Sequence, residues 1–182
     1  MSTYPFAKRN AAESGATRVA TGEVAFIDFE ASGLGAQSWP VEVGWAFVGG
    51  ASECTLIKPA ADWPMSAWDP AAEKLHGIAI DVLRAEGAEP AAVCRRLNAV
   101  LGGASVYADA PAWDGFWLYR LFSAARIKPA FELADFGALM RPLVGDGEEA
   151  LFQEAEAIAP RRHRAAADAL HLRTLYDLAT SR

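Results

Sequence analysis

Cysteine is scarce in this sequence, with two residues among 182, and the two lie far apart. Cys54 and Cys94 do not form a C-x-x-C motif, so the pattern excludes a disulfide-rich scaffold and argues against a zinc site. We expect two buried free thiols with no functional role.

Long apolar runs are also absent. No stretch approaches the roughly 20 apolar residues that a transmembrane helix needs, and the first 20 residues lack the apolar core of a secretory signal. We therefore expect a cytoplasmic protein with no membrane partner. Residues 1–20 are small and polar with several charges and no periodicity, which predicts a flexible tail, and residues 21–182 are expected to form a single domain.

A basic excess is missing as well. Lysine and arginine number 17 against 23 acids, giving a formal net charge of −6. This balance argues against a protein that grips long nucleic acid along a broad basic surface. A short anionic substrate is still compatible with it, because a cleft that binds divalent metal must itself be acidic.

The stretch 24–34 holds an apolar run that predicts a buried strand, in which alternate side chains share a face. Val24, Phe26, Asp28 and Glu30 fall on one face, which starts apolar and ends with two carboxylates. Such a pair is costly at the end of a core strand unless a cation neutralises it, and magnesium or manganese takes oxygen ligands. The alternative is that Asp28 and Glu30 are surface acids in a turn.

Apolar patterns bounded by glycine and proline predict the remaining elements. The further predicted strands are 41–48, 51–58, 105–108 and 131–134, and the predicted helices are 70–75, 80–86, 90–101 and 111–126, with two or three more helices after them. A meander followed by strands alternating with helices predicts an α/β sheet of mixed strand direction, covered by helices.

Two acids lie close to the start of the predicted helix 111–126. Asp114 falls in its first turn, where the helix dipole favours a negative charge, and Asp109 is a natural helix cap. A purely structural role therefore remains an alternative for both residues.

The last helix carries an acid on its apolar seam. Asp168 lies at three- and four-residue steps from the apolar residues, so its carboxylate should point inward and needs a partner. His163 lies five residues earlier, at or before the helix start. An ordinary solvent-facing histidine beside two arginines is the alternative for this position.

Together these residues resemble an ordered set of motifs. Asp28-x-Glu30, Leu75-His76-Gly77-Ile78, Asp114 and the His163 to Asp168 pair are similar, in order and spacing, to the motifs of the DEDDh-type 3′-to-5′ exonuclease family, which includes proofreading exonucleases, oligoribonuclease and ribonuclease T. The resemblance extends from about residue 22 to residue 182. It implies a ribonuclease H-like α/β fold, a mixed five-stranded sheet flanked by helices.

The resemblance also implies a role for each of five residues. Four acids would hold two divalent cations, magnesium or manganese, and His163 would be the general base toward the attacking water. The metal-holding acids would be Asp28, Glu30, Asp114 and Asp168. The reaction would release nucleoside 5′-monophosphates.

Three further residues would, by the same resemblance, line the pocket for the terminal nucleotide. These are Leu34, His76 and Gly77, together with nearby aromatic side chains that stack on bases. For His76 the alternative is an ordinary helix-end residue.

The sequence departs from the family pattern at one place. Many members carry His-Asn-x-x-Phe-Asp, whereas this chain has Asp109-Ala-Pro-Ala-Trp113-Asp114. The metal ligand is retained, but substrate contacts made around the asparagine are in doubt. Asp109 either caps the helix, which we favour, or tunes metal or substrate preference.

These observations predict a metal-dependent 3′-to-5′ exonuclease that acts on single-stranded ends or short oligonucleotides, of RNA or DNA. The alternatives are a non-catalytic nucleic-acid-binding module on the same fold and a proofreading or processing subunit that depends on a protein partner. Homodimerisation is a further expectation drawn from short members of the family.

Overall fold

The computed structural model describes residues 23–144 and 148–181, so the expected tail, residues 1–20, lies outside the described residues. Five strands form one sheet in the order β3-β2-β1-β4-β5. They are β1 (Val24–Ala31), β2 (Pro40–Phe47), β3 (Ser52–Leu56), β4 (Ser105–Ala108) and β5 (Leu133–Asp135). The first three strands are antiparallel, whereas β4 pairs in parallel with β1 and β5 in parallel with β4. The predicted mixed five-stranded sheet is therefore confirmed.

Helices follow the strands in the predicted order. The described helices are α1 (Pro70–His76), α2 (Ile80–Glu86), α3 (Pro90–Leu101), α4 (Pro111–Ala125), α5 (Phe136–Val144), α6 (Glu148–Ile158) and α7 (Ala165–Thr180), with a 3₁₀ turn at Met65–Ala67. Proline occupies the first helical position of α1, α3 and α4, where its missing N–H costs nothing. The architecture is α/β and ribonuclease H-like.

Alternation along β1 divides the core into two layers. Ala25, Ile27 and Phe29 belong to a large cluster with residues of α3 and α4. Phe26 belongs to a second cluster formed by residues of α5, α6 and α7. The predicted shared face of the strand is confirmed, and its two acids follow Phe26 on the α7 side.

Two expectations about local structure were wrong. Cys54 is exposed, because β3 is an edge strand of the sheet, while Cys94 is buried as expected; both are free thiols. The last strand begins at Leu133, not at residue 131, because Phe131 packs edge-on against Phe122 at a ring separation of 6.2 Å. Among the described residues no helix combines the length and apolarity required to cross a bilayer.

Candidate active site

The site begins at the end of β1. Asp28 and Glu30 follow the apolar half of the strand, and the pairing register with β2 shifts just after Glu30. Glu30 is only 8% exposed. The strand thus delivers two carboxylates, two residues apart, to one face at the edge of the core.

Asp114 and Asp168 come from the first turns of α4 and α7. Both are buried, and the Asp114 Oδ2 atom has no hydrogen-bond partner among the described residues. The Asp168 Oδ1 atom accepts a hydrogen bond of 2.8 Å from the Arg162 backbone N–H. A buried carboxylate oxygen without a donor is costly, so Asp114 has an unmet requirement for a cation or a proton.

The four acids are close enough to perturb one another. Burial, followed by the charges of Asp114, Glu30 and Asp168, raises the pKa of Asp28 well above its usual range. Burial, followed by the charge of Asp168, raises the pKa of Glu30 to about 8. These mutual effects indicate that the four carboxylates share one electrostatic environment.

The pKa of Asp114 is also raised. Burial and the charge of Asp109 raise the pKa of Asp114 to about 7, although backbone hydrogen bonds and Arg161 act in the opposite direction. A concentration of buried carboxylates with one unpartnered oxygen is the donor set that hard divalent cations take. The residues present therefore fit a magnesium or manganese centre.

His163 joins this cluster from the segment that precedes α7. It is exposed and takes a left-handed backbone conformation, with φ of 51°. Potential ligand atoms of Glu30, His163 and Asp168 all lie within 4.8 Å of one another. The histidine therefore lies beside the acids and is open to solvent.

Asp109 does not cap α4, contrary to the interpretation favoured from the sequence. The cap position is Ala110, which makes no side-chain hydrogen bond. The Asp109 Oδ2 atom accepts a hydrogen bond of 2.5 Å from the Arg161 Nη2 atom. A charged donor outcompetes a neutral backbone amide for this carboxylate, because charge-assisted hydrogen bonds are the stronger kind.

Arg161 stands near the acids as well. Burial alone would lower the pKa of its guanidinium, but the hydrogen bond and charge of Asp109, followed by the charges of Asp168 and Asp28, outweigh burial and raise that pKa. The extra negative charge that Asp109 brings to the site is thus offset by a partner from the His163 segment.

Glu42 on β2 binds the residues that follow His163. Its carboxylate accepts hydrogen bonds of 3.0 and 2.6 Å from Arg164 and one of 2.9 Å from the backbone N–H of Ala165, at the start of α7. Glu42 is fully buried. It satisfies a helix N–H that has no partner within the helix, and it complements the positive end of the helix dipole.

Gly44, two residues further along β2, allows α7 to come very close to the sheet. A Cβ atom at this position would lie 2.2 Å from the carbonyl carbon of Ala165 and 2.3 Å from the nitrogen of Ala166. Only glycine fits such an approach without displacement. The first turn of α7, which carries Asp168, is therefore set directly against the sheet.

The three expected substrate residues are differently exposed. Leu34 is 69% exposed and Gly77 is exposed, with Gly77 in a left-handed conformation that ends α1. His76 is buried, and its Nδ1 atom accepts a hydrogen bond of 3.0 Å from the Ile78 N–H. Their role in substrate binding stays a prediction.

An exposed aromatic residue directly precedes Asp114 in the first turn of α4. Trp113 precedes Asp114, is 40% exposed, and stacks on Trp117 with ring centroids 5.6 Å apart and planes at 26°. Trp117 is fixed by a hydrogen bond of 3.0 Å from its Nε1 to the Ser38 hydroxyl. The pair is therefore a stacked platform with one ring buried and the other partly facing solvent.

Sequence reasoning missed Glu42, Gly44 and the two arginines that flank His163. Glu42 gave a signal, because it is the one charged residue in the apolar run 41–48. Gly44, in the middle of the same strand, is a position where close approach of another backbone is common. Arg161 and Arg164 gave none, since their partners are more than 50 residues away in sequence.

Comparison with solved structures adds independent information about the fold. Exonuclease I from E. coli, in a zinc-bound complex with single-stranded DNA, superposes with a TM-score of 0.70 at 20% identity over 90% of this chain. The same enzyme bound to a dT13 oligonucleotide gives 0.70 at 17% identity over 88% of the chain. A product-bound exonuclease I gives 0.66 at 18% identity over 90%. The chain has the fold of the part of exonuclease I that it matches.

The similarity to exonuclease I is one of structure and covers part of that protein. This chain spans about two-fifths of the length of the exonuclease I structures, 41% in the two E. coli complexes and 44% in the product-bound form. No family model and no curated protein sequence matches the chain. At about 20% identity the similarity shows a shared fold. Because one fold can host several functions, the function of this chain must be argued from its site.

Proposed function

We propose that this protein is a metal-dependent 3′-to-5′ exonuclease that hydrolyses single-stranded or short nucleic acid to nucleoside 5′-monophosphates. The observation that carries the proposal is the convergence of four acids and His163 at the end of β1, on the exonuclease I fold. Complexes of exonuclease I with single-stranded DNA and with product support the same substrate class.

Asp28, Glu30, Asp114 and Asp168 would hold two divalent cations, and their negative charge would offset much of the charge that the cations bring. The cations, when bound, would supply water activation and stabilise the charge that develops during displacement at phosphorus. The exposed His163 imidazole accepts a proton from the attacking water and releases it to solvent.

Trp113 supports a substrate that is single-stranded next to the reacting phosphate. An unpaired base can stack on an exposed ring, and such stacking depends little on sequence. Leu34, His76 and Gly77 are proposed to complete the pocket for the terminal nucleotide. The net charge of −6 favours short substrates, because tight binding of a long strand requires many basic contacts.

Digestion of 5′-labelled RNA and DNA oligomers, with magnesium, manganese or EDTA, tests the proposal. We expect a ladder that shortens from the 3′ end and disappears with EDTA. Asp114→Asn should abolish it, whereas Asp81→Asn, which removes an exposed acid on α2, should not. A folded wild-type protein that binds oligomers without cleaving them, with either metal, would instead support the non-catalytic binding module.

A further inference from the structure

We propose that the Asp109–Arg161 ion pair is a positioning pair, which holds the segment carrying His163 in place beside the acids. The inference rests on the proposed function, because His163 needs accurate placement only if the site performs hydrolysis. Asp109 does not cap α4, and its carboxylate is instead bound by Arg161.

His163 lies between two anchors on different strands. On its C-terminal side, Arg164 is bound to the buried Glu42 of β2. On its N-terminal side, Arg161 is bound to Asp109, which directly follows β4. The two anchors leave only residues 162 and 163 between them, so together they fix the path of this short span.

The backbone at His163 shows why anchors are needed. A left-handed conformation is unfavourable for a residue with a Cβ atom, and it persists only where surrounding contacts impose it. The contacts near His163 include the two arginine anchors, the hydrogen bond from the Arg162 N–H to Asp168, and a longer one of 3.3 Å from the Arg161 N–H to Glu156. Loss of the Asp109 anchor removes the charged contact at one end of the segment and leaves only the longer hydrogen bond to Glu156 there, which allows His163 to relax.

The position of Asp109 makes it a rigid attachment point. Its neighbour Ala108 is buried in β4, and β4 pairs with both β1 and β5. The same strand end leads into α4, which carries Asp114. The ion pair therefore ties the histidine segment to the part of the sheet that also places a metal-holding acid.

A single contact joins the two side chains, from Arg161 Nη2 to Asp109 Oδ2. This geometry requires one charged donor and not the two-pronged guanidinium fork, so lysine at position 161 should preserve the function of the pair. A partly exposed ion pair adds little to global stability. The expected effect of breaking it is local.

The test compares hydrogen exchange and kinetics in matched variants. Asp109→Asn and Arg161→Gln break the pair, Arg161→Lys keeps it, and Glu53→Gln and Arg96→Gln break a partly exposed pair of similar length, 2.9 Å, between β3 and α3. Exchange is measured by mass spectrometry on EDTA-treated protein for peptides covering 159–165. Cleavage of a short oligomer is measured at saturating magnesium.

We expect Asp109→Asn and Arg161→Gln to speed exchange in 159–165 by roughly fivefold or more. In both, kcat should fall by roughly 10- to 100-fold, as misplacement of a reacting group does, with KM little changed. Arg161→Lys should retain most of both properties, and the Glu53 and Arg96 variants should match the wild type.

Three results would overturn the positioning role. Exchange in 159–165 that is unchanged in both breaking variants would show that the segment is held by other contacts. A rise in KM confined to Arg161→Gln, with Asp109→Asn normal, would make Arg161 a substrate-phosphate contact. Accelerated exchange with unchanged kcat would show that the pair orders the segment without serving His163. Absence of cleavage in the wild type would overturn the proposed function itself, while the exchange data would still decide whether the pair anchors the segment.

Discussion

Glu42 and Arg164 form a two-contact ion pair that joins the middle of β2 to the residue preceding α7. The side chain of Glu42 is 1% exposed and that of Arg164 is 34% exposed. Because the same carboxylate also binds the first N–H of α7, the pair sets where the helix begins and therefore where Asp168 lies. Removing either partner deletes both contacts of the pair.

Glu42→Ala should lower the free energy of unfolding by roughly 3–5 kcal/mol, because it removes the buried acceptor of both Arg164 contacts and of the first N–H of α7. The double variant Glu42→Leu with Arg164→Leu should lose less, since both charges of the pair are removed together. Urea unfolding measures both, and Glu89→Ala, at the exposed Lys58–Glu89 pair, is the control. Equal losses at the two glutamates would contradict the prediction.

Gly44→Ala should weaken metal binding and destabilise the fold together, because the added Cβ overlaps the backbone of Ala165 and pushes α7 away from the sheet. Calorimetric titration with manganese and thermal unfolding give the two readouts. Gly115→Ala is the control, since a Cβ there meets no atom within 4 Å, and alanine in a helix interior is favoured by about 0.5–1 kcal/mol. Undiminished manganese affinity in Gly44→Ala would show that α7 need not contact the sheet so closely.

Stability of the metal-free protein should fall as pH rises from about 5 to about 9. Glu30, with a pKa of about 8, and Asp114, with one of about 7, bind protons in the folded state that they have already lost in the unfolded chain, where carboxyls ionise near 4. More protons bound when folded means that unfolding becomes easier as pH increases. Thermal unfolding in EDTA across this range measures the slope.

Saturating magnesium should reverse that trend, because the cations bind only the ionised carboxylates and so favour the folded state more at high pH. The variant Glu30→Gln should flatten the slope in EDTA. A midpoint that is constant or rises with pH in EDTA would mean that the acids are not held in a shared buried environment.

His163→Ala should leave manganese affinity largely intact and reduce kcat by roughly 10²- to 10⁴-fold, the usual effect of losing a general base. The measurement is single-turnover cleavage of a short oligomer at several pH values. Asp168→Asn is the informative comparison, because it should reduce metal affinity as well as rate. Loss of metal binding in His163→Ala would make the histidine a ligand, which its distance from Glu30 and Asp168 also permits.

Trp113→Ala should raise KM for single-stranded oligomers by roughly tenfold, since stacking contributes about 1–3 kcal/mol for each base. Trp113→Phe should retain most of the affinity. Tyr119→Ala is the control, because Tyr119 is a 70% exposed aromatic on the same helix. Equal effects of the two alanine variants would argue against a specific stacking position.

The sequence predicted strands and helices well where the spacing of apolar residues and the positions of proline and glycine indicated the same element. Pro90 and Gly102 delimit α3 as expected, and the alternation in β1 places Phe26 and Ile27 in different core layers. The start of β5 was misplaced, because Phe131 is apolar enough to extend a strand but packs against Phe122 instead. Apolar character alone cannot distinguish a residue that pairs in a strand from one whose side chain packs in the core outside a strand.

Long-range ion pairs were beyond the reach of sequence reasoning. The acids of the cluster could be named because their strand-end, first-turn and apolar-seam positions together resemble the motifs of a known family. Asp109 seemed a cap from its local position, and only the fold brings it to Arg161, 52 residues away. Local hydrogen bonds are encoded by neighbours in sequence, whereas partners of this kind are chosen by topology.

Asp114 and Asp168 both occupy the first turn of their helices, and this has an evolutionary consequence. The remaining turns of α4 and α7 carry none of the proposed metal-holding acids, so their length and outer surface can change while the site stays fixed at the helix starts. Substitutions and extensions that alter the far ends of these helices are therefore expected to be tolerated. The fold can acquire new binding surfaces there without rebuilding its acid cluster.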